Sequence, residues 1–507
     1  MKIKYFEVFS KDEIETIHSA TMELLSTVGI KIDAEDCRKL LKDQGAQVDE
    51  ETNFVKFPET LIKEKIKEVP NSFELWGSDG SFHFEVNTNS THFATLPTPV
   101  KIYDPSKKSG VRKTILEDTI KQIRIVDSLE HIDSHHLDVW PHDVPYMELH
   151  CHTIKEWGKH SHKPYGLGCY GRMASQDMMN LTSIIVGGEE ELIRHPRLVG
   201  FFSTTSPLHF PQIMTNGYSI FTKYKQPTIV APEALAGASA PVTLAGLLTQ
   251  ICAENIGGAI LAQVLNPGAP VFFGSVSHIT DMRTGNDAMG SIETGLITAG
   301  VAQLARYYNI PSRGPGACSD SKLLDLQNGI ERLQTLLLAA QAGINYLTCA
   351  GTYEATLVEA LELLVIDDDL VGMVKRCMEG IIVNDETIAL DIITKVATST
   401  KKGSNFLGER HTMKNMKKEL YMPKLMDRNR RTTWRKKGAK DLITRAREKV
   451  DEILETQNGP GLTKDVEEKL NEYIKSVSAR SFEDYQKGEG LTSSRVTIVD
   501  GVEINKE

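Results

Sequence analysis

The chain has 507 residues, 40% of them hydrophobic and 25% charged, with a formal net charge of −10. That length exceeds one small domain and suits one large barrel with additions, and the acidic balance argues against nucleic acid as a partner. Seven scattered cysteines with no CxxC pair argue against a disulfide framework and for reduced thiols in the cytoplasm. The N-terminus lacks an apolar signal core, and no run reads as the roughly 20 apolar residues of a membrane span.

In chain order, residues 1–90 read as a helical cap. Ser10 caps a helix over Lys11–Thr27, and further helices are expected over Ala34–Gln44 and Glu59–Glu68, ended by Gly45 and Pro70. From about Thr91 strands and helices alternate. Strands are predicted at His92–Leu96, His131–Leu137, Tyr165–Gly168, Leu198–Thr204, Thr228–Ala231, Val271–Gly274, Ile310–Arg313 and Tyr346–Ala350. Their charge-poor runs suit strands buried on both faces, and helical segments separate them. Eight strands with intervening helices predict a (β/α)8 TIM barrel over residues 91–370. A doubly wound open sheet is the alternative, disfavoured because no GxGxxG follows the first strand. A C-terminal helical extension spans 371–487, and 488–507 reads as a loose tail.

A barrel's chemistry lies at the C-terminal ends of its strands. The residues placed there are His136, Tyr170, Thr204, Thr205, Glu233, Ser275, Arg313 and the turn Thr348–Gly351. Arg313, in PSRGPG, can hold a carboxylate by paired hydrogen bonds or form a structural ion pair. Glu233 is a candidate base or counter-charge. Tyr170 and Phe202 are candidate aromatic faces for a cation. The loop Leu235–Ala240, with Gly237 and Ser239, is slim enough for a large group to approach its backbone. Eight histidines crowd residues 131–162, but none forms HExxH or a ligand spacing, so no metal is expected. GxSxG and the P-loop are absent, which leaves the chemistry to a bound partner or cofactor.

The segments AGASAPVTLAG, AEN, NPGAPVFFGS, PSRGPG and SDSKLLDLQNGIE, with IHSATMELLSTVGIKI before them and FLGERHTMKNMKKELYMPKLMDR after, resemble the trimethylamine methyltransferase (MttB-like) family. The resemblance runs from about Glu13 to Trp434. It implies a TIM-barrel methyltransferase that passes a methyl group from a methylated amine to the reduced corrinoid of a separate protein, with no cofactor held tightly by this chain. It places the chain in methylamine and one-carbon metabolism, as in methanogenesis or acetogenesis. Some members carry pyrrolysine and use trimethylamine; others lack it and use quaternary amines such as glycine betaine. This sequence has no pyrrolysine and resembles the second group. The resemblance also implies roles. Glu233 and Thr348 are expected at the reaction centre. Arg313, Tyr170, Phe202 and His136 are expected at the amine, and Gly237, Ser239, Ser275 and Gly351 near the corrinoid. Thr348 stands where the family's His-x-Ala-Gly turn has its histidine. A metal-assisted barrel hydrolase using the histidine-rich region, or a quaternary-amine-binding barrel without catalysis, are the competing readings. A homo-oligomer is expected, with Arg435–Ser481 as a candidate contact element.

Overall fold

The computed structural model describes residues 5–96, 98–136, 139–401 and 403–491, and the backbone of 496–498 and 502–504. Seven strands form one curved parallel sheet: β1 His92–Thr95, β2 Tyr165–Gly168, β3 Leu198–Ser203, β4 Thr228–Ala231, β5 Val271–Gly274, β6 Ser312–Pro315 and β7 Tyr346–Ala350. Their spatial order is β1-β7-β6-β5-β4-β3-β2. The runs TIVA and VFFG are buried at every position, as strands covered on both faces must be.

The expected strand His131–Leu137 is corrected, and Leu137 itself lies outside the described residues. Residues 133–136 run between the edge strands β1 and β2 but make only one isolated parallel bridge, Ala94 to Ser134. Thr95 N donates to Ser134 O at 3.3 Å and His135 N to Pro164 O at 3.0 Å. Asp133 N and Ser134 N also donate to Phe93 O, at 2.7 and 3.3 Å, and side chains supply two more links: Asp133 accepts from Phe93 N at 2.9 Å, and His136 N donates to Thr95 Oγ1 at 2.6 Å. The strand predicted at Ile310–Arg313 begins two residues later, at Ser312.

Alternation along the strands sets two environments. Val199, Ile229, Phe272 and Tyr346 face inward. Phe202, Val230, Phe273 and Leu347 face the surrounding helices. The hairpin Ser72–Trp76/His83–Asn87 fills the N-terminal end of the inner face with Leu75 and Val86; Phe73 meets Phe272 edge-on at 5.0 Å. This hairpin, and a small sheet of Ile30–Ile32, Phe54–Lys56 and Gln47–Val48, stand where the sequence predicts only helices. The small sheet is joined in parallel by His209–Phe210.

Helix Leu244–Leu265 is the one described helix apolar and long enough to cross a membrane, with 78% of its most apolar stretch buried. This corrects the expectation that no run suffices. The helix is apolar all round because it packs between the sheet and the helices Lys11–Thr27 and Glu59–Ile66.

The helices Leu442–Thr456 and Lys464–Ser478 pack back onto the chain's own helices through Ala446, Val450, Ile453, Leu470, Ile474 and Val477. Arg480 clamps Asp177 at 2.6 and 2.8 Å. Residues 496–498 and 502–504 of the expected tail pair as antiparallel strands. The remainder of 492–507 lies outside the described residues.

Candidate active site at the C-terminal mouth of the sheet

Arg313 on β6 faces inward and is wholly buried. Its Nη1 donates to Ser275 O at 2.8 Å and its Nη2 to Thr348 Oγ1 at 2.7 Å, while Nε has no partner. The guanidinium lies 5.4 Å from the centre of the Phe201 ring, a cation–π contact. Among the described residues no carboxylate is bonded to it, and burial lowers its pKa to about 10. His136 lies on the same inner face, with its ring 5.5 Å from Phe201 and 5.9 Å from Tyr346. Both of its ring nitrogens are buried without hydrogen-bond partners. Burial first, and the Arg313 charge second, push its pKa well below the ordinary histidine range. It is therefore a neutral imidazole at physiological pH.

Small residues make room for these groups. A Cβ on Gly166 would stand 2.4 Å from His136 Nδ1, and one on Gly168 would stand 2.0 Å from Tyr170 Cε1. So the Tyr170 ring folds over the end of β2 only because position 168 has no side chain. Tyr170 meets Trp140 at 5.8 Å and 86°, and Trp140 meets Tyr146 at 5.6 Å and 45°. These three rings line a cavity of about 110 Å³ together with Phe482, Tyr485 and Glu489. The Glu489 carboxylate accepts from Arg172 N and Met173 N at 2.9 Å and so caps the helix Arg172–Val186.

Glu233 follows β4, and its side chain reaches solvent within the concave mouth. The surrounding protein raises its pKa, with Asp287 adding to this and His278 and Arg313 opposing it. His278 Nδ1 donates to Val276 O over 2.9 Å, and its Nε2 lies 3.8 Å from Asp287. Burial opposes protonation of His278, yet Asp287, the Val276 carbonyl and Glu233 hold its pKa above the ordinary value. The rim loop keeps Gly237 exposed at φ +92. Ser239 Oγ accepts from Leu235 N at 2.9 Å to fix the turn.

The structure thus brings together Arg313, Thr348, Ser275 and His136, with Tyr170 and Glu233 at the opening and Gly237 and Ser239 on the rim. Two expectations are corrected. Phe202 points outward and stacks on Tyr218 at 4.4 Å; its neighbour Phe201 supplies the inward ring, since strand residues alternate faces. Gly351 is turned away from the mouth and donates its N–H to Asp367 at 2.9 Å. Thr204 bonds Glu254. Glu254 is a wholly buried carboxylate that also accepts from Ser206, Leu208 N and Gln250. Sequence reasoning missed Glu254 inside its apolar helix, and it missed His278 and Asp287. Only the position of His278, three residues past Ser275, signals its place at a strand end.

Among the described residues one group could hold a metal ion: His150, Cys151 and Asp177. There the Arg480 guanidinium already spans both Asp177 oxygens, and Tyr473 OH donates at 2.7 Å. The group ties the C-terminal helices to the body.

An inward-facing cation and aromatic rings thus stand at the C-terminal mouth of a parallel sheet. The chain belongs to the trimethylamine methyltransferase (MTTB) family. The family model matches residues 1–480. The chain is 34% identical over 469 residues to the trimethylamine methyltransferase MttB of Methanosarcina barkeri, covering 90% of this chain and 92% of that one. It is 30% identical over 474 residues to the glycine betaine methyltransferase of Desulfitobacterium hafniense, covering 92% and 96%. Among solved structures it is similar to the M. barkeri monomethylamine methyltransferase MtmB, at 14% identity and a TM-score of 0.44, covering 91% and 96%. The protein is an enzyme of this methyltransferase family.

Proposed function

We propose that this MTTB-family enzyme moves a methyl group from a carboxylated quaternary amine, a betaine, to the reduced corrinoid of a separate protein. In this reading the seven strands and residues 133–136 work as a closed (β/α)8 barrel, with 133–136 in the second strand's place. The observation that carries the reading is Arg313. It is a fully buried guanidinium with no carboxylate bonded to it among the described residues and an unpartnered Nε, facing the same space as a neutral imidazole and the Phe201 ring. A substrate carboxylate supplies the missing counter-charge. Its ammonium end suits the rings of Tyr170 and Trp140 at the opening.

The chemistry agrees with this chain's residues. When a quaternary ammonium loses a methyl group, the C–N electron pair stays on nitrogen and the amine leaves neutral, so no proton donor is needed. Neutral His136 is no obstacle to that. What remains for the protein is to orient one N–methyl bond and exclude water. The corrinoid, when presented, supplies the nucleophile. The rim fits a broad flat group: Gly237 and Ala238 are exposed, and the neighbouring Val242 and Met282 offer 63% and 71% of their surface. Ser275 and Thr348 hold Arg313 in place, and Glu233 contributes negative charge at the opening.

A panel assay tests this. The protein is mixed with a reduced corrinoid partner and, in turn, glycine betaine, carnitine, γ-butyrobetaine, proline betaine, choline and trimethylamine. Methyl-cobalt absorbance is expected with at least one carboxylated quaternary amine, above choline. Methylation from trimethylamine alone would overturn the proposal.

A further inference from the structure

Sequence patterning pointed to Arg435–Ser481 as the contact element, but most of that stretch packs onto its own chain. The stretch just upstream does the opposite. Between residues 381 and 422 eleven large apolar side chains stand exposed, against thirteen in all other described residues. The helices Leu390–Ala397 and Arg410–Glu419 bury no residue at all. Leu407 and Met413 are 82% and 72% exposed. The arm is tied to the body at its ends. Arg376 Nε donates to Glu419 O at 2.9 Å, and Tyr421 OH and Leu425 N donate to Asp369 at 2.9 Å. So concentrated an apolar surface marks an interaction site.

Its charge indicates the occupant. Residues 381–422 carry 7 Lys and Arg against 5 Asp and Glu, and the adjoining 423–440 carry 8 against 1, while the rest of the chain carries 43 against 62. A basic arm on an acidic body repels another arm and attracts another body. The body also holds a matching apolar stripe. Leu326, Ile330 and Leu333 share one face of the helix Leu326–Ala342, beside exposed Leu323 and Ile292. Gly329 on this helix faces open space, which lets another backbone approach. Glu293, Asp325 and Glu331 lie around the stripe, with Lys322 as its near cation.

We propose that a second copy of this chain covers these surfaces. The apolar arm 381–422 of each copy, with the basic stretch 423–440 beside it, seats on the Leu326–Ile330–Leu333 stripe of the other, in a reciprocal two-fold pair.

Light scattering on the full-length protein tests it. The wild type is expected at an even multiple of 56.4 kDa. An arm variant, Leu390→Asp/Leu407→Asp, and a stripe variant, Leu326→Asp/Ile330→Asp, should each fall to the single-chain mass with an unchanged melting transition. Mixing the two variants should restore pairs, since one sound arm then meets one sound stripe. Lys414→Glu/Lys417→Glu, which touches no apolar residue, should weaken pairing about tenfold. A single-chain wild type, a stripe variant of unchanged mass, or variants that stay single when mixed would each overturn the proposal. So would an arm variant whose only loss is binding of the corrinoid protein.

Discussion

Two buried arginines face different chemistry only one strand apart. Arg332, on the helix after β6, is 1% exposed and paired with Asp367. Its Nε donates to Oδ1 at 3.0 Å, and its remaining nitrogens reach Asp367 Oδ2 and Thr352 O. Arg313, on β6 itself, is equally buried but among the described residues meets only a carbonyl, a hydroxyl and an aromatic face. A buried charge without a counter-charge is costly, so it persists where the fold has another use for it. Arg332 closes a structural circuit within the chain. Arg313 leaves one open toward the mouth.

Mutations separate the two roles. The largest effect is expected for Arg332→Ala, which strands Asp367 as a buried unpaired charge. It should cost roughly 3–5 kcal/mol of stability, read as a lower denaturation midpoint, with substrate preference unchanged in the folded fraction. Arg313→Ala should change stability by less than about 1 kcal/mol, because removing an uncompensated charge offsets the lost packing. Its expected loss is about 2–5 kcal/mol in kcat/KM for the betaine. An Arg313→Ala protein as unstable as Arg332→Ala would make both residues structural.

Smaller effects sharpen the contrast. Thr348→Val keeps the side-chain shape but removes the acceptor for Arg313 Nη2. The betaine KM should rise about fivefold, near 1 kcal/mol, with kcat little changed. The pH profile of KM carries the same signature. Arg313's pKa is depressed to about 10, so carboxylate binding should hold across neutral pH and fail as pH rises through about 10. His136 is pushed low, so no step is expected near 6.5. A KM that worsens as pH rises from 6 to 7 would mean a protonated histidine carries the contact.

Part of this was legible in the sequence. Thr228–Ala231, Val271–Gly274 and Tyr346–Ala350 could be read because apolar runs covered on both faces leave few alternatives. Arg313, Thr348, Ser275, His136 and Tyr170 could be shortlisted because they follow or end such runs. What could not be read depended on register and long-range partners. Whether Phe201 or Phe202 faces inward is a one-residue question that a strand's apolar content leaves open. The segment 133–136 reads as a strand, yet its backbone bonds are irregular and the Asp133 and Thr95 side chains take two places in its ladder. The hairpin Ser72–Trp76/His83–Asn87 is short and mixed in polarity, and its burial of Leu75 and Val86 exists only against the sheet. Glu254 is hidden in a helix otherwise apolar. Its partners Thr204, Ser206 and Leu208 lie about 50 residues away.

The most direct test of Arg313's role is equilibrium binding of the betaine that turns over and of its counterpart lacking the carboxylate, choline for glycine betaine. Calorimetry is run on the wild type and on Arg313→Ala. The wild type is expected to prefer the betaine, and Arg313→Ala to lose that preference by a selective fall in betaine affinity while choline binding holds. Equal weakening for both ligands, or a preference that survives the substitution, would contradict the claim that Arg313 holds the carboxylate.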